Sequence, residues 1–147
     1  MRVFGHPVHL MLVHFPAALF PLALACSLAG FETGDRSFAA TSFYAGAGGA
    51  LLGWAAVVFG ALELPKVFEE NPKAVNQALV HAGINVCVII FFTVTTYAQL
   101  KTYPAIEPDG KALIGLKAGA ICLMMFGNYF GGNLVLKFGI AVRKPKK

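Results

Sequence analysis

The chain has 147 residues, the length of one domain. Hydrophobic residues make up 57% and charged residues 13%, whereas a soluble domain is about a quarter charged. That shortage of charge excludes a small soluble enzyme and a disordered chain, and three Cys are too few for a disulfide scaffold. A membrane protein remains.

The charges mark out the elements in chain order. No Lys, Arg, Asp or Glu lies between Arg2 and Glu32, Arg36 and Glu63, Lys73 and Lys101, or Lys117 and Lys137. Each stretch reaches the ~20 residues that span the hydrocarbon core, and only helices satisfy every backbone group there. The pattern predicts helices near 7–30, 38–63, 75–100 and 112–135, with Lys117 snorkelling outward from the fourth. The fold expected is an all-α, four-helix transmembrane bundle in a single integral membrane domain, both termini on the same side. Met1-Arg2-Val3 before an apolar run has the outline of a signal peptide, but the segment is read as the first membrane helix. Turns are expected at Phe31–Arg36, Pro65–Pro72 and Tyr103–Gly110, which are rich in turn formers and charge.

The N-terminal side carries Arg2, Lys66, Lys73, Lys137, Arg143, Lys144, Lys146 and Lys147; the far side carries Arg36, Lys101, Lys111 and Lys117. Eight against four places the termini in the cytoplasm of a prokaryotic cell by the positive-inside rule. The basic tail reads as a topology anchor, not as a nucleic-acid surface.

The four His are clustered. His6, His9 and His14 open the first helix and His81 opens the third. His14 lies eight residues beyond His6, or ~12 Å deeper, and His81 lies eight beyond Lys73. Two imidazoles at one depth on separate helices suit the two axial positions of a haem iron. The expectation is a non-covalent b-type haem with His14 and His81 as iron ligands. Glu63 or Asn85 would accept a hydrogen bond from a ligand imidazole, and His9 would neighbour a propionate or a quinone. Gly83, two residues from His81, would let a flat cofactor approach. His6 and His9, one turn apart, cannot clamp a haem between them; interfacial anchoring, with Pro7 at the first helical position, is their plainer reading. The plainer reading of His14 and His81 is a polar tie between helices. That of Glu63 is a solvated charge.

Gly46, Gly53 and Gly60 recur every seven residues, and Gly115/Gly119 and Gly127/Gly131 form small-xxx-small steps, all of which also serve plain helix packing. Pro16 frees the carbonyl of Leu12 and would kink the helix beside His14. Cys26, Cys87 and Cys122 read as small apolar residues, and no covalent haem motif, phosphate loop or dinucleotide fingerprint is present. His6, His9 and Glu63 make only a weak metal set. No charge is expected in mid-membrane, which argues against an ion pump.

Gly5-His-Pro-Val-His-Leu-Met-Leu-Val-His-Phe-Pro16 resembles the opening of a bacterial and archaeal four-helix membrane family, domain of unknown function 2231. Gly60-Ala-Leu-Glu63 resembles its Gly-Leu-Leu-Asp step, His81-Ala-Gly-Ile-Asn85 its third-helix His and Asn, and Gly131-Gly-Asn-Leu-Val-Leu-Lys-Phe-Gly139 its closing segment. The chain departs from the pattern at His9-Leu10, where members often carry a second His-Pro pair, and at Leu136, where an aromatic is common. Members sometimes occur beside cytochrome and redox modules, so the resemblance implies a haem-linked role.

The function expected is a haem-binding membrane subunit passing electrons between a quinone pool and a partner redox protein. A chain of this size would work as a homo-oligomer or within a hetero-complex, in contact with lipid. Two alternatives stand beside it: a cofactor-free scaffold subunit of a larger membrane complex, and a small metal or proton transporter.

Overall fold

The computed structural model describes residues 2–3 and 6–140, with side chains from residue 7 onward. Gly5, the His6 side chain and the basic tail at 143–147 therefore lie outside the described residues. Arg2–Val3 pairs antiparallel with His6–Pro7, and the remaining regular structure is helical. Helices α1 (Val8–Leu12) and α2 (His14–Thr33) form the first span, α3 (Arg36–Glu70) the second, a 3-10 turn (Pro72–Ala74) with α4 (Val75–Leu100) the third, and α5 (Lys111–Leu136) the fourth. All four are long and apolar enough to cross a membrane.

Helix ends follow local chemistry. Pro16 has no N–H for the Leu12 carbonyl, and the helix breaks at Val13. Gly34 ends α2 in the left-handed region at φ 71°, where a side chain would be strained. Asp35 caps α3, its carboxylate accepting from Ser37 N–H at 2.8 Å. One expected turn is corrected: α3 runs through Pro65 to Glu70, and the break comes at Asn71. One missing donor does not stop a helix whose next turn buries Val67 against Ala74, Ala78 and Leu134.

The spans alternate in direction. His9 at the start of α1 reaches Ala56 late in α3, and Ser27 late in α2 reaches Ser42 early in α3. His81 early in α4 reaches Gly127 late in α5. Val8 and Leu136 thus lie at one end of the bundle, which we call the His end. α3 packs on α2 and α4, and α4 packs on α5; the seam between α2 and α5 is the thinnest contact in the ring. The centre is filled by the stacked rings of Phe20 and Phe92, centroids 3.8 Å apart, with Val88, Ile89, Ile121 and Met124 around them. A Cβ on Gly49 would stand 2.6 Å from the Phe20 ring, and one on Gly53 would stand 3.0 Å from Ile89. The small residues of α3 let its neighbours in.

The far end overturns one expectation. Lys117 does not snorkel outward; it is 2% exposed. Its ammonium donates to Asp109 Oδ2 at 2.5 Å, to Ser27 Oγ at 2.9 Å and to Ser42 Oγ at 3.0 Å. Asp109 also accepts from Ser27 and, on its other oxygen, from Gln99. A charge pair therefore lies buried inside the helical bundle, linking all four spans and the 101–110 loop. The cause is geometric: the loop folds Asp109 back into the bundle. An ammonium facing a carboxylate and two hydroxyls is better solvated there than along a helix flank.

Candidate functional site

At the His end two imidazoles are held in matching ways. His9 Nδ1 lies 2.8 Å from the Ala56 carbonyl of α3, and His81 Nδ1 lies 2.8 Å from the Gly127 carbonyl of α5. Four residues beyond each carbonyl is a glycine. A Cβ on Gly60 would stand 3.0 Å from the His9 ring, and one on Gly131 would stand 2.6 Å from the His81 ring. Each receiving helix thus offers an acceptor and, one turn later, the gap in which the ring rests. Asn85, one turn after His81, donates to the His81 carbonyl at 2.9 Å and lies 3.2 Å from Nδ1.

These contacts fix the tautomers. A carbonyl oxygen only accepts, so at 2.8 Å each Nδ1 must carry the proton. The longer approach from the Asn85 amide does not compete. In the neutral ring each Nε2 then keeps its lone pair, the state in which a histidine binds a metal while its other nitrogen is anchored. The two ring centroids are 6.5 Å apart and the planes are perpendicular, at 87°.

Space surrounds the pair on both sides. A cavity of about 360 Å³ is bounded by His9, His14, Glu63, His81, Asn128 and Gly131. It also touches Ala17 of α2 and Val135 of α5, so it lies along the thin α2–α5 seam. A smaller cavity of about 50 Å³ continues inward past His9, Ala17, His81, Asn85 and Met124 toward Phe20. Its volume puts the outer space within the range of small-molecule sites.

The site residues expected from sequence fall out as follows. His81, Glu63 and Asn85 line the two cavities. His14 reaches the outer cavity but is exposed, and the ring that faces His81 belongs to His9. The structure sets His9, not His14, beside His81. The break at Val13 turns α1 onto α3, so His9 enters the bundle and His14 stays at the rim. Gly83 is exposed, with nothing within 4 Å of a Cβ placed on it. Among the described residues no three His, Cys, Asp or Glu side chains are placed to hold one metal ion between them.

A four-span helical membrane protein with a histidine-lined cleft at one end is the class that this fold and site define. The description "predicted membrane protein (DUF2231)" matches residues 5–144. The chain belongs to that family. No curated protein and no solved structure matches it.

Proposed function

We propose that the chain is a b-type haem-binding subunit of a prokaryotic cytoplasmic membrane, with His9 and His81 as the axial ligands. One observation carries the reading: two imidazoles from different spans, each with Nδ1 bonded to a carbonyl, have ring centres 6.5 Å apart, and neither Nε2 has a hydrogen-bond partner among the described residues. With each nitrogen about 2 Å from a shared metal and each ring centre about 1 Å further out, two axial imidazoles have centres roughly 6 Å apart. The cavities on either side of the pair share His9, Val13, Ala17 and His81 as walls, which suits a flat group crossing between them.

A haem supplies reversible one-electron chemistry. The protein's part is to hold the two rings, to keep Nε2 unprotonated and to enclose the site in apolar walls that set the potential. The electrons would pass between a quinone pool in the bilayer and a partner redox protein, within an oligomer or a larger complex. Lys117, paired inward, drops out of the far-side charge count, leaving eight basic residues against three and supporting cytoplasmic termini.

A second reading is favoured by the same bonds. Each His ties two spans together, as it would in a cofactor-free scaffold. Absorption spectra of protein made with ample haem separate the two. A Soret band with sharp α and β bands on dithionite reduction is expected, lost in His9→Ala and His81→Ala and retained in His14→Ala. Loss in His14→Ala with retention in His9→Ala would return the ligand role to His14, and a featureless wild-type spectrum would leave the scaffold.

A further inference from the structure

We propose that the outer cavity is where a p-quinol meets the protein, with His14 as the base that takes its proton and Asn128 as the group that orients its ring oxygen. The inference rests on the haem reading for the fate of the electrons but not for the site.

Two polar groups there have no partner. Neither the His14 ring nor the Asn128 amide makes a hydrogen bond within the described residues, and both border the cavity of about 360 Å³. Both lie within a span but on its exposed surface beside the cavity, where an unpartnered polar group can serve a ligand or a water-filled space. The other cavity walls are largely apolar, among them Leu10, Val13, Ala17, Leu134 and Val135. The cavity follows the α2–α5 seam, where helix contact is thinnest. A ligand that lives in the bilayer can reach such a seam without crossing water. The chemistry wanted is thus a lipid-soluble ring with one oxygen that gives a proton and another that accepts an amide hydrogen. A hydroquinone meets all of these terms. Sugars and nucleotides lack the apolar character, and a fatty acid, already ionised near neutral pH, has no proton left to give.

The step balances as quinol giving quinone, two protons and two electrons. One O–H bond breaks as His14 takes the proton, and the second proton goes to the Glu63 carboxylate, which borders the same cavity at the His end. The two electrons go one at a time to a one-electron oxidant, the partner redox protein, for which a haem held by His9 and His81 would be the relay. Asn128, which borders both cavities, donates its amide N–H to the ring oxygen.

The test uses haem-loaded protein in lipid nanodiscs and stopped-flow reduction by duroquinol. His14→Ala and Asn128→Leu should keep the wild-type spectrum and reduce normally with dithionite. In His14→Ala the rate with duroquinol should fall about 100-fold or more, the usual loss for a removed base. Wild-type rates in both variants would overturn the assignment. A second measurement needs no haem: photolysis with an azidoquinone should label peptides around His14 or Asn128 in the wild type and not in the double variant. Labelling elsewhere, or none, would overturn the site even where the haem spectrum is intact.

Discussion

Replacing Lys117 by Met keeps the length of the side chain and removes the ammonium. In the wild type Nζ holds the Asp109 carboxylate, Ser27 and Ser42 together, and the two charged side chains are 2% and 4% exposed. After the change Asp109 keeps its bonds from Ser27 at 2.6 Å and Gln99 at 2.8 Å but loses its counter-charge. Breaking one side of a buried pair costs about 3–5 kcal/mol. Adding Asp109→Asn removes the stranded charge, so the double variant should recover to within about 1 kcal/mol of wild type. Reversible unfolding in mixed micelles, followed by circular dichroism at pH 7, gives both values. A Lys117→Met loss below about 1 kcal/mol at pH 7, or no recovery in the double variant, would mean that Lys117 lies outside the bundle after all.

The glycine seats make a separate prediction. Gly131→Ala places a methyl 2.6 Å from the His81 ring, against the backbone of α5. The ring must leave the Gly127 carbonyl, and haem retention should fall far more than for Gly132→Ala, whose Cβ meets nothing within 4 Å; equal retention in the two would remove Gly131 from the site. At the far end, the Ser37 backbone N–H, and secondarily its side chain, hold the Asp35 carboxyl below the usual carboxylate value of 3.8. A depressed group contributes above its unfolded value and stops contributing as pH falls through its folded one. The Asp35 carboxyl resonance should therefore titrate below 3.8 in the wild type and move up in Ser37→Pro, which lacks the N–H.

Much of this was legible in one dimension. Four uncharged stretches separated by turn formers could hardly become anything but four membrane helices, because lipid offers the backbone no other partner. His81 with Asn85 one turn on, and Glu63 at the same end, were readable from helical spacing and lie where that spacing put them. The signal for the seats was also present, in Gly60 and Gly131, but these glycines do not differ in sequence from those that only admit a neighbouring helix. Asn128 carried no sign in the sequence that it would border both cavities.

The sequence by itself determined the number of spans, their order and the end at which the histidines gather. Hydropathy and rise per residue fix depth, and depth is all that they fix. Rotation about each helix axis was decided by the tertiary structure. The break before Pro16 turned His9 inward and left His14 at the rim, because a missing N–H bends a helix in a direction set by its neighbours. Gly60 and Gly131 accepted rings only because α1 and α4 lie against them. Lys117 turned inward only because a loop eight residues away folds Asp109 back beneath it, and a charge takes the partner that solvates it best.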